Sequence, residues 1–246
     1  MNNFLFLDTE TTGVEKLDRL YQVAYKTPTE TVDEKFKPPL PISHIASSIT
    51  HVTTKDVSLK SPFEGSTVQA KLKDLAEKDY IFIAHNAQFD LNMVVKEGIS
   101  FKRHICTMKL ARHIDEGDML KHTLQYLRYY YELEIDLGGL APHDALADII
   151  VLEAVFKKIA RSIQAKYNLS KDQTIERMIE ISMNPVLLKK ITFGKYSTSK
   201  GKTPEQQLIK NIAKDDIGYL IWLLGEKKKK PEGEEDWIYT LNHYIK

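Results

Sequence analysis

Four carboxylates and one imidazole stand in three short segments: DTETTG at 8–13, HNAQFD at 85–90 and HDALAD at 143–148. Asp8 and Glu10 are two residues apart, a spacing that a strand points to one face. Two acids so placed repel each other unless cations lie between them, and oxygen donors are what magnesium and manganese prefer. Asp90 comes just after an apolar run, where the loops and helix starts at strand ends carry sites. His143 precedes Asp148 by five residues, which on one continuous helix is a rotation of about 140°. Both could not then face one point closely. Pro142 offers a way out, because it favours a helix start nearby and leaves His143 on the loop or first turn, with Asp148 one turn inside. An imidazole titrating near ~6.5 suits a base at neutral pH. Each segment alone has a plainer reading. DTE also fits a polar turn closing a strand, Asp90 a first-turn acid stabilising a helix dipole, and His143 an exposed residue at a helix end.

The elements that must position these groups are legible in the apolar pattern. Phe4–Leu7 reads as a strand buried on both faces. Strand-like runs follow at Leu20–Lys26 and Thr31–Lys37, the latter stopped by Pro38-Pro39, and suggest an antiparallel meander. Residues 44–51 read as a short helix and 62–78 as an amphipathic one begun at Ser61-Pro62. YIFIA at 80–84 is another buried strand, running into HNAQFD and a helix closed by Gly98. A short strand at His104–Thr107 leads into a helix through residue 113, and 121–133 has a helical period. From 144 to about 166, Ile149, Leu152, Val155, Phe156 and Ile159 form one stripe of a long helix. Strands first, then helices between later strands, predict an α/β fold with a mixed sheet flanked by helices.

Beyond residue 167 the character changes to polar and Gly/Lys/Ser-rich segments, so a domain over 1–166 and a small C-terminal module over 167–246 are expected. FGKYSTSKGKT offers Lys195, Lys200 and Lys202 to phosphates, or else a solvated turn over a core of Phe193, Tyr196, Tyr219 and Trp222. KKKKPEGEED at 227–236 reads as a solvated loop. The 246 residues are 42% apolar and 28% charged, as suits a packed core under a soluble surface. A net charge of +1 means that a nucleic-acid partner would have to be held by a local patch or by metal ions. The single cysteine, Cys106, excludes an internal disulfide framework and suits a reducing compartment. The start lacks a signal-peptide pattern and no window approaches a membrane span, so a cytoplasmic protein without a membrane partner is expected.

Taken in order, DTETTG, HNAQFD and HDALAD resemble the three motifs of the DEDD exonuclease superfamily. A histidine five residues before the last aspartate is similar to its DEDDh branch; the other branch carries a tyrosine four residues before it. PISHIASSITHVT is similar to the polymerase proofreading relatives, while ICTMKLARHI and ITFGKY…GK…DDIGYLIWLL resemble the exodeoxyribonuclease X group. Two departures fall in the tail: Ser197-Thr198-Ser199 lengthen a turn, and Ile217 stands where that group often has proline. The resemblance implies a ribonuclease H-like fold with a five-stranded sheet, and hydrolysis from a 3′ end to nucleoside 5′-monophosphates. It implies two divalent cations, magnesium with manganese as a substitute, with Asp8 as the bridging ligand. Glu10 and Asp148 complete one metal, Asp90 holds the second through water, and His143 takes the proton of the attacking water. Thr11, Thr12, Gly13, His51, Asn86 and Phe89 are the implied substrate contacts, Phe89 alternatively being a core residue beside the strand. The other six histidines are assigned no catalytic role. DNA, single-stranded or at duplex 3′ ends, is the implied substrate. RNA stays open, as does a non-catalytic nucleic-acid-binding or polymerase-binding subunit.

Overall fold

The run FLFLDTET forms strand β1, Phe4–Thr11, at the centre of a sheet that is antiparallel on one side of it and parallel on the other. The computed structural model describes residues 3–139 and 144–246, so Pro142 and His143 lie outside the described residues. Strands β2 (Leu20–Lys26) and β3 (Thr31–Lys35) continue from β1 as antiparallel neighbours, giving the expected meander. Strands β4 (Ile81–Ala84) and β5 (His104–Cys106) run parallel to β1 on its other side. The order is β3-β2-β1-β4-β5, the expected mixed sheet of five strands. Between β3 and β4 lie helices α1 (His44–Thr50), α2 (Thr54–Val57) and α3 (Thr67–Glu77), and α4 (Ala87–Lys96) separates β4 from β5. Helices α5 (Thr107–Ile114), α6 (Leu124–Tyr130) and α7 (Ala145–Tyr167) follow β5.

Strand alternation sorts β1 between the two faces of the sheet. Leu5 and Leu7 enter the core that holds Val23, Leu72, Phe82 and Val94. Phe4 and Phe6 meet Phe156 of α7 edge-on, with ring centroids 5.3 and 5.4 Å away. Asp8 and Glu10 follow in the same even-numbered series, so they point to the face that α7 covers. The sheet's register also matters. β4 pairs only with Phe4–Phe6, whereas β2 follows β1 out to Thr11. Past Phe6, β1 therefore has a free edge on the β4 side, and both acids stand beside it.

The chain divides into two compact units: 1–108 with 123–161, and 109–122 with 162–246. The second is helical, with α8 (Lys171–Met183), α9 (Ile209–Asp215), α10 (Ile217–Lys229) and α11 (Glu235–Tyr244). Its core gathers Leu188, Ile191, Ile209, Ile212, Leu220 and Leu241. No helix among the described residues is long and apolar enough to cross a membrane.

Several expected boundaries move. β3 ends at Lys35 rather than Lys37. α3 starts at Thr67 rather than near Pro62, because Gly65 adopts a left-handed φ of 77° and Ser66 Oγ then caps the Gln69 N–H. Phe63, in the supposed first turn, instead packs edge-on against Phe36. α6 covers only Leu124–Tyr130 of the segment 121–133. KKKKPEGEED is not a loop throughout. Lys227–Lys229 finish α10, and Glu235 with Asp236 opens α11. Cations at a helix C-terminus and acids at an N-terminus complement the dipoles, which makes this charge run a helix end followed by a helix start. In the tail Tyr196 is buried, but Trp222 is 55% exposed and outside the core.

Candidate active site

The free edge of β1 is completed by the start of α4. The Thr9 N–H, which has no strand on that side to donate to, donates to Asp90 Oδ1 at 3.0 Å, and Thr9 Oγ1 donates to the same oxygen at 2.7 Å. Asn86 makes this possible. It leaves β4 in a left-handed conformation (φ 65°), a region that Asn tolerates better than most residues, and so turns the chain into α4 within one residue of Ala84–His85. Asp90 is thereby 3% exposed and anchored against β1. Asp148 lies in the first turn of α7. Asp144 Oδ1 accepts the Leu146 and Ala147 N–H groups at 3.0 and 3.3 Å and sets the start of that helix. Gln125 of α6 donates through Nε2 to Asp148 Oδ1 at 2.9 Å.

Asp8, Glu10, Asp90 and Asp148 consequently act on one another. Asp8 is held well above the usual carboxylate range, first by desolvation and then by Asp90, Glu10 and Asp148. Glu10 is pushed up to about 8 by burial, then by Asp148, Asp90 and Asp144, while Lys35 opposes the rise. Asp90 rises to about 7 through burial, with its hydrogen bonds from Thr9 pulling the other way. Burial disfavours the ionised forms of Asp8, Glu10 and Asp90, acidic neighbours add to this for Asp8 and Glu10, and a bound cation would reverse it. Among the described residues no three His, Cys, Asp or Glu groups close on one point as a preformed cage. The donor set nevertheless fits a hard divalent ion: it is all oxygen, anionic and drawn from three separate elements.

Two neighbours escape sequence reasoning and yield tests. Thr9→Val keeps shape and removes the Oγ1 bond, so the Asp90 carboxyl rises further and is less ionised at neutral pH. We expect about a tenfold loss of nuclease rate at pH 7, as one charge-assisted hydrogen bond is worth about 1.5–3 kcal/mol. The loss should shrink by pH 9, and a pH–rate profile parallel to wild type would refute it. Gln125→Leu removes the Nε2 donor from Asp148 Oδ1. The metal concentration for half-maximal activity should rise about tenfold, in line with the loss of other outer partners of metal ligands. An unchanged metal titration would exclude this positioning role.

The remaining implied contacts are placed unequally. A cleft of about 330 Å³ is lined by Thr9, Glu10, Thr11, Gly13, Ile45 and Phe89, among others. Ile45 is 77% exposed on its rim. Thr11 donates to the Gly13 carbonyl at 2.7 Å, and a Cβ on Gly13 would crowd the Asp18 carboxylate. Thr12 is fully buried and engaged within the turn: its hydroxyl donates to Asp18 Oδ1 at 2.6 Å and its N–H to the Arg19 carbonyl at 2.9 Å. His51 caps α1 in a left-handed conformation (φ 57°), and neither it nor Asn86 is among the cleft's lining residues.

Comparison with known proteins identifies the family. The family described as Exonuclease (RNase_T) matches residues 5–156, which include Asp8, Glu10, Asp90 and Asp148. Exodeoxyribonuclease 10 of Escherichia coli strain K12 is 29% identical over 252 residues, covering 97% of each chain. DNA polymerase III PolC-type of Streptococcus pyogenes serotype M1 is 28% identical over 68% of this chain and 12% of its own. A solved structure of exonuclease X in complex with 5′ overhanging duplex DNA superposes with a TM-score of 0.54 at 25% identity, covering 73% of this chain and 99% of that one. The fold is accordingly the α/β, ribonuclease H-like fold of the exonucleases, and the family generally works with divalent metal ions. The chain belongs to the exonuclease family and is a 3′–5′ exonuclease.

Proposed function

We propose that the protein is a metal-dependent 3′–5′ exodeoxyribonuclease that trims DNA from the 3′ end to nucleoside 5′-monophosphates, in the cytoplasm and in the service of DNA repair or end trimming. The observation that carries this reading is the buried acidic group at the free edge of β1, where burial and their acidic neighbours, Asp148 among them, raise Asp8 and Glu10, and burial raises Asp90. Asp8, Glu10 and Asp148 would hold one magnesium ion and Asp90, with Asp8 shared, a second; manganese would serve in its place. When bound, the two ions neutralise the phosphodiester and stabilise both the attacking and the leaving oxygen.

The chain's own groups do the rest. His143 takes the proton of the attacking water. Gln125 fixes the orientation of Asp148, and Thr9 that of Asp90. Thr11 and Gly13 approach the terminal nucleotide in the cleft, with Phe89 as an apolar wall for its base. Thr12 shapes the turn that presents them, while His51 and Asn86 stand further along the strand's path. Residues 1–166 make the catalytic domain in this reading and 167–246 an accessory module. The test is to incubate the protein with 3′-labelled DNA and with a matched RNA, in magnesium or in EDTA. Magnesium-dependent release of mononucleotides, faster from DNA, is expected. A rate on RNA far above that on DNA would transfer the assignment to an exoribonuclease, and no release from either would leave a binding subunit.

A further inference from the structure

The second unit contains a separate cleft of about 260 Å³, outside the acidic site and bordered by the segment after α5, residues 188–192 and Trp237 of α11. Asp115 lines it and Asp236 adjoins its Trp237, and the oxygens of both are engaged. Asp115, 2% exposed, accepts the Gly117 N–H at 2.7 Å, the Met119 N–H at 3.3 Å and His122 Nε2 at 3.0 Å. Asp236 accepts from Arg112 at 2.9 Å and from the Val186 N–H at 3.0 Å. What remains is cationic. Lys121, Lys189 and Lys190 line the cleft, and none forms an ion pair among the described residues; Lys190 Nζ lies 3.4 Å from the Met119 carbonyl. Trp237 and the 55% exposed Leu120 add apolar walls.

The charge of the whole unit points the same way. Residues 109–122 and 162–246 carry 18 Lys and Arg against 14 Asp and Glu, whereas the unit with the acidic site carries 17 against 20. The near-neutral total therefore conceals a basic unit and an acidic one. A polyanion is repelled by the acidic unit until its cations bind, and attracted by the basic one without them. We propose that this cleft is a second nucleic-acid site that grips a strand of the substrate away from the reacting end, with the three lysines on phosphates and Trp237 against a base. Aromatic stacking combined with a cationic groove is how strands are held without regard to sequence. The proposal rests on the reading that the chain acts on nucleic acid.

The test uses the full chain, in EDTA, and a fluorescent 30-nucleotide thymidine strand titrated across a salt series. Replacing Lys121, Lys189 and Lys190 with Ala should weaken binding about tenfold or more. It should also reduce the slope of log K against log salt by about 2, since each single-strand phosphate contact contributes about 0.7. Turnover of the p-nitrophenyl ester of thymidine 5′-monophosphate, which lacks a strand, and the melting temperature should be unchanged. Unaltered affinity and slope would overturn the proposal, as would an equal fall in ester turnover and strand binding. If the triple variant does not fold, Lys121→Glu, at an exposed position, must show the same selective loss. Thymidine 5′-monophosphate should not compete at concentrations near the strand's; if it does, the cleft binds free product and the strand assignment fails. Failure of the nuclease reading is seen separately, as absence of mononucleotide release by the wild type in magnesium.

Discussion

Asp8→Asn is expected to abolish nucleotide release and at the same time to raise the thermal stability of the metal-free protein. The activity loss should be about 10³-fold or more, equivalent to about 4 kcal/mol of transition-state stabilisation, because Asp8 is the acid that the proposed mechanism shares between both ions. The stability gain follows from linkage. Asp8, Glu10 and Asp90 all have folded-state pKa values above their unfolded ones, with Glu10 at about 8 and Asp90 at about 7. Between about pH 4, where free carboxyls titrate, and pH 8, the folded protein binds more protons than the unfolded chain. Their contribution to stability is then complete below pH 4 and is lost as pH rises toward 8. Asparagine at position 8 carries no charge, so the cost of ionising a buried acid beside Asp90, Glu10 and Asp148 is removed there. In EDTA at pH 8 the variant should melt about 2–4 °C above wild type, the shift that about 1 kcal/mol produces in a chain of this size, and the two should converge by pH 4. Magnesium should raise the melting temperature of the wild type and leave the variant nearly unmoved. A variant that melts below wild type at pH 8 in EDTA would mean that the four acids do not repel one another in the fold.

This coupling between activity and stability explains which parts of the site can be read from the chain. Acids at 8 and 10 are visible because strand alternation is local: once FLFLDTET is a strand, both must point one way. Asp148 is visible because a helix start is local too. Thr9 and Gln125 are not, since their partners lie 81 and 23 residues away and nothing in either neighbourhood requires them. The Thr9 bond exists only because β4 stops short along β1, a matter of register between two strands far apart in sequence. The bulge where Thr11 pairs with Leu20 after Glu10 pairs with Gln22 is likewise unmarked in the sequence, with no glycine or proline at 10–11 or 20–22. Helix limits were legible to within a turn where a cap was strong and shifted where two signals competed. Ser61-Pro62 looks like a helix start, yet the Gly65-Ser66 pair supplies both the left-handed turn and the capping oxygen. In the second unit, KKKKPEGEED has the composition of a loop, and only the dipoles of α10 and α11 give its charges a helical role.

His143→Ala should lower kcat by about 10²–10³-fold at neutral pH, the range of a general base, while metal activation and strand affinity stay near wild type. The prediction depends on where α7 starts. Were the helix continuous from position 143 through Asp148, the two side chains would diverge by about 140°. α7 instead begins at Ala145, where Asp144 caps the first N–H groups, and Asp148 falls in the first turn. His143 itself lies outside the described residues, so its role as base is a proposal that the following test decides. Because a base differs from a ligand in what can replace it, added imidazole should restore part of the rate of His143→Ala but none of that of Asp148→Ala. Full activity of His143→Ala at neutral pH would remove the base assignment and leave proton transfer to solvent. Equal rescue of both variants would mean that imidazole acts elsewhere.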